Sequence, residues 1–259
     1  MSSLEGAVRL DRRESTAFIT FDRQAARNAM TWAMYEQLGA ALDWLAANED
    51  IRVAVLRGAG GHFVAGTDIA QFEDFATGED GLAYERRLDA IVARLESTRA
   101  ATVAVVEGYA VGGGLALATA CDVRICTPDA RFGVPIAKTV GNCLSMANTA
   151  RLIAHLGASR TKALLVTAGF LSAHEALQAG FVTSVVEARR LDAQVEELAN
   201  GVASLAPVTL QVSREAIRRI VAALSANGDD LVRRAYESLD FQEGVAAFLD
   251  KRTPRWIGR

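Results

Sequence analysis

Val103-Ala-Val-Val-Glu-Gly-Tyr-Ala-Val-Gly-Gly-Gly-Leu-Ala-Leu117 is the stretch on which the fold turns. Its first four residues are an unbroken apolar run, which suits a strand buried on both faces, and the glycines Gly112 to Gly114 end in an apolar helix start. Upstream, Val53-Ala-Val-Leu56 has the same character. Between the two runs lie Gly58, Gly60 and Gly61, the string Phe63-Val-Ala-Gly-Thr-Asp68, and helical periodicity centred on Tyr84 to Leu95. Strand, loop, helix, strand is a βαβ unit, so parallel pairing with helical crossovers is expected. Ahead of it, Ala7–Leu10 and Ala17–Phe21 read as a hairpin. Tyr35, Leu38, Leu42 and Leu45 then mark an amphipathic helix capped by Thr31. Downstream, Val123–Cys126 reads as a strand, Ser172-Ala-His-Glu175 as a capping box opening a helix, and Phe181–Val186 as a further strand. From Leu191 to Asp250 the periodicity is helical, interrupted at Pro207 and at Asn227-Gly228. The expectation is an α/β core over 1–195 and a helical region over 196–259 that serves assembly.

The chain has 259 residues, 51% hydrophobic and 23% charged, with a net charge of −3. That composition excludes a disordered or collagenous chain, and the absence of a Lys/Arg block argues against nucleic acid or an anionic membrane as partner. Cys121, Cys126 and Cys143 are an odd set, expected to be reduced thiols in a cytoplasmic protein. No signal-peptide run opens the sequence, and no window reaches the ~18 apolar residues of a membrane span.

Glycine-rich loops invite a nucleotide reading, which fails. Gly112-Gly-Gly-Leu-Ala-Leu117 lacks the last glycine of the dinucleotide fingerprint, and no Gly-Lys-Ser/Thr follows for a phosphate loop. His62, His155 and His174 are scattered, with neither metallohydrolase nor serine-hydrolase spacing around them. No metal site is expected. What remains is two strand-to-helix turns made of small residues, Val64-Ala-Gly-Thr-Asp68 and Val111-Gly-Gly-Gly-Leu115. If they converge, their unpaired N–H groups can hold one oxyanion. The alternative is that the glycines merely make tight turns.

Gly61-His-Phe-Val-Ala-Gly-Thr-Asp-Ile69, Val106-Glu-Gly-Tyr-Ala-Val-Gly-Gly-Gly-Leu115, Ala120-Cys-Asp-Val123 and Ala130-Arg-Phe-Gly-Val-Pro135 resemble the crotonase (enoyl-CoA hydratase/isomerase) superfamily. Asp22 to Met30 resembles its N-terminal CoA-contacting loop, and Glu243 to Arg252 its C-terminal signature. The resemblance spans nearly the whole chain. It implies a spiral of ββα turns with a C-terminal trimerisation region, a homotrimer or homohexamer, and an acyl-CoA thioester as substrate with no further cofactor. The thioester oxygen would sit between two backbone amides, carried over by motif position to Ala65 and Gly113. CoA would be contacted by Arg27, Ala65, Gly66, Thr67, Asp68, Gly113, Phe248 and Lys251. For Asp68 a helix-capping role is the plainer alternative, for Arg27 a solvated loop charge, and for Phe248 a helix core contact.

Two departures matter. Hydratases of this superfamily carry glutamates where this chain has Ala116 and Ile136, and neither a methyl nor a sec-butyl group can hold water or carry a proton. The resemblance therefore points to an acyl-CoA enzyme of lyase, isomerase or hydrolase type that stabilises a thioester enolate without being a standard hydratase. The alternative is a catalytically inactive acyl-CoA-binding member. Substitute chemistry is sought after Ile136, at Asn142, Cys143 and Ser145, with Cys143 the most reactive type if a helix N-terminus lowers its pKa. A small buried hydrophobe is its alternative. His62, expected at the surface, and Tyr84, Glu73 and Asp74 are weaker candidates.

Overall fold

Strands Val53–Gly58 (β3) and Ala101–Val106 (β4) pair in parallel at the centre of a six-stranded sheet. Val53, Val55, Val103 and Val105 face one helix, while Leu56, Ala104 and Val106 face the main core, so both faces are covered. The computed structural model describes residues 5–259. The hairpin Ala7–Arg13 (β1) and Thr16–Asp22 (β2) adds an antiparallel edge, and Val123–Cys126 (β6) and Ser184–Val185 (β9) complete the order β1-β2-β3-β4-β6-β9. The expected strand Phe181–Val186 shrinks to β9, because the Phe181 and Val182 amides both bond back to the Ala176 carbonyl at a helix end.

A second, three-stranded sheet takes Tyr109–Val111 (β5), Arg131–Gly133 (β7) and Phe170–Ser172 (β8). The chain passes from one sheet to the other and then into a helix at each turn. β4 runs into β5 and then Gly113–Ala120 (α3), and β6 runs into β7, then Ile136–Thr139 (α4) and Met146–Val166 (α5). The earlier turn is the same unit in reduced form. After β3, Val64 makes an isolated parallel bridge to Ala110 before Gly78–Glu96 (α2). This is the expected spiral of ββα units.

Helix Trp32–Ala47 (α1) begins at its Thr31 cap, whose side chain accepts from the Met34 amide, and Ala173–Gln178 (α6) opens with the Ser172/Glu175 capping box. Ala188–Ala203 (α7) covers the outer face of the sheet through Leu191, Val195 and Ala199. The expected domain division at 195/196 falls inside this helix. Beyond it, Pro207–Ala222 (α8) buries no residue, whereas Asp229–Tyr236 (α9) and Leu239–Leu249 (α10) return to the main core through Val232, Tyr236, Phe241 and Val245. Among the described residues no helix is long and apolar enough to cross a membrane.

Candidate active site

The Val64–Ala110 bridge sets the geometry of the site. The Val64 amide donates to the Tyr109 carbonyl (3.0 Å) and the Val111 amide to the Val64 carbonyl (3.0 Å), so the two strand ends run side by side. Three residues on from that pair are Thr67 and Gly113. Each follows a glycine with left-handed backbone, Gly66 at φ 103° and Gly112 at φ 51°, a conformation that side-chain-bearing residues rarely adopt. Gly114 completes the turn, since a Cβ there would strike the Val64 carbonyl. Among the described residues no protein acceptor takes either the Thr67 or the Gly113 amide. Two adjacent unpaired donors, one opening α3, form a place where developing negative charge on oxygen is stabilised.

This corrects one expected member of the pair. The Ala65 amide is spent on the Arg27 carbonyl (3.1 Å), because the segment Arg27 to Met30 zips onto Ala65 to Asp68. The same zipper pairs the Met30 amide with the Gly66 carbonyl (2.8 Å) and the Asp68 amide with the Met30 carbonyl (2.9 Å). An amide already bonded within a ladder has nothing left for a ligand. The donor that remains is that of Thr67.

A cavity of about 440 Å³ opens in front of the amides. Exposed Arg27 and Phe248 mark its mouth, with Arg23 and Asp68 also in the lining; buried Tyr84, Glu85 and Leu88 form part of its wall, which Ile136 and Asn142 to Leu144 continue. At the mouth, Arg27 is exposed with its guanidinium over the Tyr109 ring (5.3 Å), and Phe248 is 49% exposed. Asp68 accepts from the Ala70 amide (3.3 Å) and pairs with Arg23 (2.7 Å), so it holds the rim together as a cap. Ala65 and Gly66 line the cavity, while Lys251 lies outside its lining.

Inside, the Thr67 hydroxyl bonds the Tyr35 hydroxyl (2.7 Å) and the Tyr84 hydroxyl (2.8 Å). Burial pushes the Tyr35 phenol up to about 12, and Tyr84 also lies well above its ordinary value, first because of burial. Both stay protonated and act as hydrogen-bonding hydroxyls. Asn142 donates through Nδ2 to the Tyr236 hydroxyl (3.0 Å), and its buried Oδ1 has no protein partner among the described residues.

Cys143 lines the cavity, but among the described residues no helix N-terminus is placed to lower its thiol pKa. It lies ahead of α5, whose cap is Ser145, and burial together with the Glu85 charge pushes its thiol up to about 12. Ser145 is likewise occupied, capping the Asn148 amide and donating to Asp89 Oδ1 (2.8 Å). His62 is half-buried against Tyr109 and Glu73 and Asp74 are exposed, all outside the cavity lining.

Glu85 is the residue that motif reading missed. It is 3% exposed yet lines the cavity, and burial pushes its carboxyl up to about 8. The sequence carried a faint signal for it. Gly78 and Gly81 precede it on one face of α2, and a Cβ at Gly81 would collide with the Tyr236 ring. Those glycines let α9 lie close against α2, which puts a tyrosine hydroxyl beside the acid one turn on.

The enoyl-CoA hydratase/isomerase family pattern matches residues 11–259, almost the whole chain. The chain belongs to the enoyl-CoA hydratase/isomerase family. This is the crotonase superfamily that the motifs resembled. The short-chain-enoyl-CoA hydratase of Clostridium acetobutylicum is 32% identical over 251 residues, covering 95% of this chain and 95% of that protein. The 2,3-dehydroadipyl-CoA hydratase of Escherichia coli is also 32% identical, covering 96% of this chain and 98% of that one. Among solved structures, a methylmalonyl-CoA decarboxylase in complex with 2-nitronate-propionyl-CoA superposes with a TM-score of 0.88 at 28% identity, covering 97% of this chain and 98% of the other. One hydratase/isomerase-type fold thus resembles proteins named for different reactions, so the reaction must be argued from side chains.

Proposed function

We propose that this family member binds an acyl-CoA thioester at the cavity and turns it over through an enolate whose oxygen accepts from the Thr67 and Gly113 amides. The observation that carries the reading is the register that sets those two unpaired amides side by side. Arg27 and Phe248 at the mouth suit the phosphates and adenine of CoA. The carboxylates that hydratases use are replaced by Ala116 on α3 and Ile136 on the cavity wall, so the standard addition of water is not the reaction. The proposed chemistry needs no cofactor beyond the thioester itself. Val208, Val212, Ile217 and Ile220 on α8 are each more than half exposed, which supports assembly with further copies, a homotrimer or homohexamer by the family resemblance. Three unpaired cysteines support a cytoplasmic location.

The test is purified protein with crotonyl-CoA, following the conjugated thioester absorbance, with binding of the ester measured by calorimetry on the same sample. Binding without hydration is the expected result. Hydration at enzymatic rates would overturn the reading of positions 116 and 136, and absence of binding would overturn the acyl-CoA site. A second reading, a binding protein without turnover, draws on the same missing carboxylates. Turnover of an acyl-CoA by the native chain, lost in Gly113→Pro, excludes it.

A further inference from the structure

We propose that Glu85 is the catalytic acid/base of this site, exchanging a proton with the carbon next to the thioester carbonyl. The inference rests on the enolate reading above and gives it the proton carrier that positions 116 and 136 lack. Three observations place it there.

The first is position. Glu85 lines the cavity together with its helix neighbours Tyr84 and Leu88, and those neighbours reach the amide pair. The Tyr84 hydroxyl bonds the Thr67 side chain at 2.8 Å, and Leu88 Cδ1 lies 3.9 Å from where a Cβ on Gly113 would be. The Glu85 side chain and the oxyanion donors therefore border one cavity, joined across it by neighbouring residues of α2.

The second is the manner of holding. Glu85 Oε1 accepts from the Tyr236 hydroxyl (2.8 Å) and Oε2 from the Ser145 amide (3.1 Å), so the carboxyl is fixed from α9 on one side and from the α5 cap on the other. No basic side chain pairs with it among the described residues. A carboxyl buried for structure alone would be expected to have a counter-charge, since burying a charge unpaired is costly. Here the groups facing it are Asp89 on its own helix, Tyr35 from α1, Tyr84, Cys143 and Tyr236, and Asn142 beyond Tyr236. None is cationic. Such a site keeps an acid poised to gain and lose a proton near neutrality.

The third is the relay. Asn142 donates to Tyr236, which donates to Glu85, and Asn142 Oδ1 is buried, unpartnered and part of a residue that borders the cavity. A polar atom left in that state marks a position that a ligand group can satisfy.

The step balances with no added reagent. The carboxylate of Glu85 takes the α-proton, the electron pair of that C–H bond becomes the enolate, and its charge rests on the oxygen at the Thr67 and Gly113 amides. The protonated carboxyl trades its proton with solvent between steps, and return of a proton from it, to the same carbon or to a conjugated one, regenerates the carboxylate. One carboxyl of this kind suits proton transfer between carbon positions. Tyr236 is a positioning residue.

The experiment is hydrogen–deuterium exchange at the α-carbon of propionyl-CoA and butyryl-CoA in deuterated buffer, read by mass spectrometry, with ester binding measured by calorimetry. Native protein is expected to exchange, faster as pH rises and levelling off above about 8. Glu85→Gln should bind both esters and lose exchange by about 100-fold or more. Glu85→Asp, which keeps a carboxyl, should restore part of it. Tyr236→Phe removes a donor that favours the carboxylate, so its pH midpoint should move up by about one unit. Exchange that survives in a folded, ester-binding Glu85→Gln protein overturns the assignment while leaving the enolate reading intact. If Glu85→Gln does not fold, an unmoved pH midpoint in Tyr236→Phe overturns it instead. Ester binding with no exchange by the native protein overturns both readings.

Discussion

The two walls of the cavity are built on different principles. One is backbone: two strand ends held in register by the Val64–Ala110 bridge, with glycines at the bends and amides as the working groups. The other is side chain: Glu85 on α2, held by Tyr236 from α9 and by the amide at the head of α5. The backbone wall is fixed by the sheet and cannot drift without breaking the core. The side-chain wall depends on how closely two helices pack, and on the proton count of a buried acid. Substitutions should therefore damage the first wall through lost charge stabilisation, and the second through lost proton transfer together with stability and pH.

At the backbone wall the expected effect is as large as that of losing the Glu85 carboxyl. Gly113→Pro removes one donor and should lower turnover by about 100- to 1,000-fold. Gly113→Ala is its control, because it keeps the amide while adding the same Cβ 2.7 Å from the Tyr35 hydroxyl. Equal loss in both, measured as steady-state rates on whichever acyl-CoA is turned over, would mean that crowding rather than the lost N–H does the damage.

The side-chain wall should declare itself through pH. Glu85 has an ordinary value of 4.5 raised to about 8 by burial, so between those values the folded chain holds a proton that the unfolded chain has released. Folded-state stability is then fully present below the lower value and is lost as pH rises through the upper one. Urea unfolding across that window should show native stability falling relative to Glu85→Gln, by a few kcal/mol at the alkaline end. Parallel curves would place the carboxyl in solvent.

Gly81→Ala tests the packing on which that wall depends. Its Cβ would meet the Tyr236 ring, so α9 must shift, at a cost of about 1–3 kcal/mol in unfolding free energy. A neutral result would show that α9 is free to move away from α2. The smallest effect should come from Thr67→Val, which leaves the amide in place but takes the hydroxyl from between Tyr35 and Tyr84. A loss of about 1–2 kcal/mol in stability is expected, with turnover little changed. A collapse of turnover there would move the chemistry from the amide to the hydroxyl.

The contrast between the walls also explains what could be read before the structure. Apolar runs such as Val53–Leu56, the Thr31 cap and the Ser172/Glu175 capping box are local and carry their cause in their own residues. The glycine turns were visible for the same reason. Placing the first amide on Ala65 instead of Thr67 failed because the choice depends on a partner, the Arg27 carbonyl, far away in sequence. The wall around Glu85 was signalled only by Gly78 and Gly81, for a stronger reason. Its carboxyl is unusual only because α9, α5 and the Asn142 segment close over it, and an isolated Tyr-Glu pair on an amphipathic helix announces none of that. Cys143 shows the converse, a residue whose type suggested reactivity and whose burial pushes its thiol pKa up.

The ladder that occupies the Ala65 amide has a consequence for length. Arg27 offers its guanidinium to the mouth of the cavity while its own carbonyl grips the strand that carries the Thr67 amide, and Met30 grips the residues on either side of Thr67. The grip on a bound molecule's far end and the seat for its reacting end are thus two fittings on one rigid gauge. A molecule held at both is measured against a fixed span, and because Ala29 lines the cavity and Met30 holds the Thr67 strand, the same short segment sets that span and the wall beside it.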